Sequence, residues 1–235
     1  MYYRSRDRSH LFPRRGTLSL TLYYHPLSSF CHKVLVALYE IDTPFDRRII
    51  NFGDDKDRAE LRAVSPIGKF PVIRDHARKQ DVVETTIIIE YLDHCFAGDL
   101  IPGVWEDALQ VRLWDRFFDN YLQAPMQQIV SDRMQGGKGD VKKERATLEI
   151  AYGMIDKQMA GRTWVASAAF SMADCAAAPA LFYTGTVHSF PPGLTHLQAY
   201  FDRLMERPSV QRVMEEAKPY FQFYPFVDAI PKRFL

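Results

Sequence analysis

Ser65-Pro66-Ile67-Gly68-Lys69-Phe70-Pro71-Val72-Ile73, followed at residues 80–96 by QDVVETTIIIEYLDHCF, is the stretch on which the fold turns. Phe70 to Arg74 and Asp81 to Glu84 are two short β-like runs, parted by the polar segment Asp75–Gln80. That pattern predicts a hairpin with a longer loop. Proline has no amide donor, so Pro71 belongs at a strand's start or on an edge. Thr85 to Phe96 then predicts a helix with Ile88, Tyr91 and Leu92 on one face.

Upstream, Leu18 to Tyr24 alternates apolar and polar residues and predicts a strand, which His25–Pro26 breaks. Ser29–Glu40 predicts a helix, with Phe30, Val34, Leu35 and Leu38 at helical spacing. Phe45 to Asn51 is a second β candidate, and the polar segment from Gly53 to Leu61 reads as a loop with a short helix. The order β-α-β, then β-β-α, gives a small α/β sandwich of about eighty residues. Beyond Gly98–Pro102 the character changes. Leu109, Leu113, Phe117 and Tyr121 recur every four residues, with Trp114, Phe118 and Leu122 beside them; Leu148, Tyr152, Ile155 and Met159 mark another helix, and Leu197, Phe201 and Leu204 a third. The expected organisation is an extension over 1–16, an α/β domain over 17–97, a linker over 98–104 and an all-helical domain over 105–235.

Composition narrows the function. Of 235 residues, 47% are hydrophobic and 25% charged, which excludes a disordered or collagen-like chain. Three widely spaced cysteines exclude a disulfide-built scaffold and fit reduced thiols in a cytoplasmic setting. The net charge of +1 hides an asymmetry. Arg4, Arg6, Arg8, Arg14 and Arg15 against Asp7 put +4 on residues 1–16, which leaves −3 on the rest. A mildly acidic body with a flexible basic extension is not a nucleic-acid binder by charge. The most apolar stretch, Thr163 to Val187, contains Ser171, Asp174 and Pro179, and reads as a buried helix rather than a membrane span.

Four constellations carry chemistry. In Tyr24-His25-Pro26-Leu27-Ser28-Ser29-Phe30-Cys31 a strand stops and hydroxyls stand where a helix begins, so free amides and the helix dipole favour an anion there. The plainer reading makes one of these serines an N-cap. In Gly68-Lys69-Phe70-Pro71, a cis bond would offer the Phe70 backbone to a ligand and Lys69 would pair with a carboxylate. In Glu84-Thr85, the acid suits an ammonium group and the hydroxyl and amide suit a carboxylate, the plainer reading being a Thr N-cap. Ser171-Met172-Ala173-Asp174 is a capping box whose role is structural, worth about 1 kcal/mol or more. The seven histidines and three cysteines form no pair with zinc-like spacing, so no metal is expected. A Gly-x-Ser-x-Gly elbow and a P-loop are both absent from the sequence.

In their order, Ser65-Pro66-x-Gly-Lys-Phe-Pro71, Glu84-Thr85 and Phe170-Ser171-x-Ala-Asp174 resemble the cytosolic glutathione transferase superfamily, from Leu18 to about Phe226. The resemblance implies a thioredoxin-like N-terminal domain, an all-α C-terminal domain, usually a homodimer, and a role in detoxification. Glutathione would be co-substrate and a hydrophobic electrophile the second substrate, in a pocket lined around Trp114, Phe118 and Tyr121. Pro71 then matches the cis-proline, Phe70 offers backbone bonds to the cysteinyl part, Glu84 and Thr85 hold the γ-glutamyl end, and Lys69 approaches the glycyl carboxylate. Aligned on Cys31-x-Lys33-Val34, Ser28 takes the place of the catalytic hydroxyl of serine-type classes. Aligned on Tyr24-x-Pro26, Ser29 takes the place of a bacterial catalytic cysteine; the first alignment is preferred. The family also implies two alternatives, a glutathione-dependent isomerase or dehalogenase and a non-catalytic binding protein. Cys31 remains where a glutaredoxin-type pair would have lost its first cysteine, and a buried apolar role is expected of it.

Overall fold

The structure is a computed structural model that describes residues 19–235, so the basic extension read over 1–16 lies outside the described residues. Alternation along β1 (Leu20–Tyr24) decides the layering. Leu20, Leu22 and Tyr24 join the main core and Tyr23 points to a smaller one, because successive strand side chains face opposite ways. β1 pairs in parallel with β2 (Asp46–Ile49) and antiparallel with β3 (Val72–Asp75), which pairs antiparallel with β4 (Gln80–Val83). The sheet order is β2-β1-β3-β4. The parallel pair needs a crossover, and α1 (Ser29–Glu40) supplies it.

α1 is buried without a break from Cys31 to Leu38. It packs against α3 (Thr85–Cys95) on one side and against helices of the second domain on the other, so no polar face survives. The opposite face of the sheet is covered by α2 (Asp55–Val64), through Leu61 and Val64 on Tyr23, Ile50 and Val72. A short helix was expected between Gly53 and Leu61, and the observed one fills most of that segment and runs three residues beyond it. Asp54 caps it by accepting from the amides of Lys56 and Asp57, and Asp55 and Asp57 complement its dipole. β1 starts two residues later than its apolar run, β2 lies inside the run read over Phe45 to Asn51, and β3 and β4 are each shifted by one or two residues toward the loop between them.

In the second domain, α4 (Trp105–Phe118) continues through a π-helical turn, Asp119–Gln123, into α5 (Ala124–Met134). α6 (Lys142–Met159), α7 (Met172–Val187), α8 (Thr195–Met205) and α9 (Pro208–Ala217) complete it. Of the every-fourth row that announces α4, only Phe117 faces the core. Trp114, Phe117, Phe118 and Leu122 are buried, whereas Leu109 and Leu113 are 47% and 55% exposed, in line with Trp105. α7 is the central buried helix and starts with the Ser171–Asp174 capping box. No helix among the described residues is long and apolar enough to cross a membrane.

Candidate functional site

The turn from β1 to α1 builds the first wall. The Ser28 amide donates to the His25 carbonyl at 3.0 Å, which sets Ser28 as an extended N-cap. Its Oγ accepts from the Cys31 amide at 3.3 Å. The capping reading of Ser28 therefore holds, and it leaves the functional one open, since an accepting hydroxyl keeps its own hydrogen to donate. Ser28 is half-buried and Ser29 buried. The amides of Ser29 and Phe30 have no partner among the described residues, so two free donors stand at the positive end of α1. Cys31 is fully buried, and burial pushes its thiol up to about 12, which makes it inert as the sequence reading expected. Below the turn, His32 donates Nε2–H to the Pro26 carbonyl at 2.6 Å; burial lowers its pKa to about 4 and keeps the ring neutral.

Lys69, Phe70, Pro71, Glu84 and Thr85 line one cavity of about 330 Å³. The Phe70–Pro71 bond is cis. Glu84, not Thr85, occupies the cap of α3, and its side chain makes no capping bond. Its φ of +68° is one that L side chains rarely adopt. Such strain costs about 1–3 kcal/mol and concentrates where a side chain must be aimed at a ligand. Thr85 is the first residue of α3 and buried, so its amide and hydroxyl stand at a helix N-terminus suited to a carboxylate.

Ser28 and Ser29 are not on this polar cavity. They line a neighbouring one of about 820 Å³, mostly apolar, with Met126, Val130, Met134 and Tyr183. Phe70 and Gln127 belong to both walls, so the two cavities adjoin there. Trp114, Phe118 and Tyr121 do not line the apolar cavity, which corrects the sequence expectation: Trp114 and Phe118 are packed in the core and Tyr121 is exposed. The lining comes instead from α5, α7 and the segment around Tyr224, which carry no local mark of a pocket.

Sequence reasoning also missed the charges that close the polar cavity. Arg116, Asp119 and Asn120 line it from α4 and the π-helical turn, an irregularity found often at functional sites. Behind them Lys33 of α1 is fully buried, with Nζ 2.7 Å from Asp115 Oδ1 and 2.9 Å from Asp119 Oδ2. Thr86 Oγ1 donates to Asp115 Oδ2 at 2.6 Å. Asp119 Oδ1 is buried with no hydrogen-bond partner among the described residues. Burial raises the Asp119 pKa, against the pull of Lys33. The one available signal was a set of charges inside the aromatic run Trp114–Tyr121.

Comparison with known proteins gives this geometry a family. Residues 22–99 match the glutathione S-transferase N-terminal domain and residues 117–208 the glutathione S-transferase C-terminal domain. The chain is 23% identical over 213 residues to glutathione S-transferase GstB of Escherichia coli K12, covering 83% of this chain and 97% of that one. It is 26% identical over 224 residues to dichloromethane dehalogenase of Methylorubrum extorquens, covering 84% of this chain and 75% of the relative. A solved glutathione S-transferase of Methylobacillus flagellatus with glutathione bound superposes with a TM-score of 0.73 at 23% identity, over 83% of this chain and 98% of that one. With the N-terminal and C-terminal domains of the family matched in turn along it, the chain belongs to the cytosolic glutathione transferase superfamily.

Proposed function

We propose that the protein is a glutathione transferase that activates the glutathione thiolate against a hydrophobic electrophile. One observation carries the reading: a small polar cavity with paired anion and cation donors meets, at Phe70 and Gln127, a larger apolar cavity edged by Ser28 and Ser29. The γ-glutamyl end is held by Glu84 and Thr85, the cysteinyl backbone by Phe70 beside Pro71, and the glycyl carboxylate by Lys69. The sulfur then lies over Phe70 toward the helix start. Ser28 is the activating residue of the two, because it is the less buried and its hydroxyl hydrogen is uncommitted. That hydrogen and the α1 dipole both favour the thiolate over the thiol. The dehalogenase relative supports a second reading with the same nucleophile, in which the thiolate displaces halide from a small alkyl carbon.

Calorimetry is expected to show glutathione binding at millimolar ligand or below, and absence of binding defeats the reading. In the bound complex, Ser28→Ala should cut the thiolate fraction at neutral pH by about tenfold, the equivalent of a charge-assisted hydrogen bond of ~1.5 kcal/mol. Thiolate absorbance titrated against pH measures it; an unchanged titration removes Ser28 from the role and transfers it to Ser29. Assay of aryl halides, alkyl halides, hydroperoxides and cis-dienoic acids separates transferase, dehalogenase and isomerase, and binding without turnover of any of them supports a non-catalytic protein.

A homodimer is part of the proposal. Trp105, Leu109 and Leu113 form an exposed apolar row on α4, and Ile87 on α3 is exposed as well. Exposed apolar area of this kind marks a protein interface. Sedimentation is expected to give a dimer that Leu109→Glu with Leu113→Glu converts to monomer; a monomeric parent protein would refute it.

A further inference from the structure

We propose that His25 is a further catalytic residue, whose Nε2–H donates a hydrogen bond to the carbonyl oxygen of a conjugated enone as the glutathione thiolate adds to it. The inference rests on the transferase reading and names its second-substrate class.

The tautomer follows from a backbone contact. The Leu27 amide donates to His25 Nδ1 at 3.2 Å, so Nδ1 is an acceptor and the neutral ring carries its hydrogen on Nε2. Half-burial lowers the pKa of the imidazole, which keeps it neutral near pH 7. Nε2 has no hydrogen-bond partner among the described residues, although the ring is held on two sides. Phe70 lies nearly parallel to it at 6.0 Å and 17°, and Tyr220 meets it edge-on at 6.2 Å and 69°. A positioned ring with an uncommitted donor is therefore in place before any ligand arrives.

Its location decides what the donor is for. His25 lines the apolar cavity together with Ser28, and does not line the polar one. Its carbonyl also fixes the Ser28 amide, so the sulfur-activating hydroxyl and the Nε2–H belong to one turn of chain. A donor on the wall of a mostly apolar cavity stabilises developing negative charge far more than it would in water. The reaction that uses both groups is conjugate addition. The sulfur–β-carbon bond forms, the alkene π pair becomes the π bond between the α-carbon and the carbonyl carbon, the carbonyl π pair moves onto oxygen, and His25 donates to the resulting enolate while keeping its proton. The α-carbon takes a proton from water, and the hydroxide left behind neutralises the proton released when the thiol ionised. An alkyl halide puts its charge on a departing halide and gains little from the same donor.

The test pairs benzylideneacetone, an enone, with benzyl chloride, using the full chain and glutathione. His25→Phe keeps the ring and its stacking but has no donor. His25→Asn keeps an acceptor near the Nδ1 position, and His25→Gln places an amide donor near Nε2. Loss of one such donor typically costs about 100-fold in kcat. The Phe and Asn variants are expected to lose about that much in kcat/KM with benzylideneacetone and roughly a tenth as much with benzyl chloride, while Gln recovers most of the enone activity. Glutathione affinity and the bound-thiol titration should match the parent protein in all three. Equal losses on both probes, or an Asn variant as active as Gln, would overturn the proposal in favour of a role in holding the turn. A parent protein that binds glutathione but leaves benzylideneacetone unreacted overturns it as well. Absence of glutathione binding instead overturns the reading beneath it.

Discussion

Asp174→Ala is expected to destabilise the protein by about 3–5 kcal/mol, well beyond the loss of a helix cap. The carboxylate is fully buried and accepts four bonds. Oδ2 takes the amide and hydroxyl of Ser171, both at 2.9 Å; Oδ1 takes the Val165 amide at 3.1 Å and the Tyr200 hydroxyl at 2.6 Å. Alanine leaves the Val165 and Tyr200 donors in the core without partners, and each such orphan costs about 1–3 kcal/mol. The sequence showed the cap alone; the third and fourth donors arrive from the loop before α7 and from α8. For a chain of this length the loss corresponds to a fall of ~10 °C or more in Tm. Thermal or urea unfolding measures it, and a cost below about 1 kcal/mol would show that the network holds nothing beyond the cap.

Lys33→Met is expected to cost about 3–5 kcal/mol, because it leaves the buried Asp115 without a cation and Asp119 with only the half-exposed Arg116, 2.9 Å from its Oδ2. The size of the penalty should depend on pH, and the sign is fixed. Burial already raises the Asp119 pKa above its unfolded value, and removing Lys33 raises it further. A carboxyl with a raised folded pKa stabilises the fold most when protonated and loses that contribution as pH climbs through the folded value. The gap between parent and variant should therefore narrow as pH falls from neutral toward the ordinary carboxylate range. Replacing all three charges together, with Asp115→Asn and Asp119→Asn, should cost less than Lys33→Met alone. Urea unfolding at several pH values provides the check; a gap that stays constant with pH would mean that the carboxylates do not sense Lys33. Since Asp119 also lines the polar cavity, weaker glutathione binding should accompany the loss.

Legibility varied with how local each signal was. α1 has the bounds its sequence predicts, since the Ser28 cap and the apolar spacing act within one turn. α2 was legible as a short helix but not in its full extent, because only Leu61 and Val64 are buried on a largely charged helix, leaving too narrow a stripe to register as periodic. Lys69, Phe70, Pro71, Glu84 and Thr85 were readable as a set only through the resemblance, and the structure brings all five to one cavity. The second-substrate lining was not readable. Trp114 and Phe118 are the more conspicuous aromatics, yet Met126, Val130 and Tyr183 reach the cavity.

By itself the sequence determined the order of elements, the start of α1, the proline-led strand entry and the Ser171 cap. Each of these depends on hydrogen bonds or alternation reaching no further than about four residues. Tertiary structure alone decided which side of α4 meets solvent, that the serines open on the apolar cavity rather than the polar one, and that His25, its Nε2–H uncommitted, lines that cavity too. It also brought Lys33 to Asp119, 86 residues away. Burial and charge pairing are set by whichever elements pack together, and no pattern within a single helix records its neighbour.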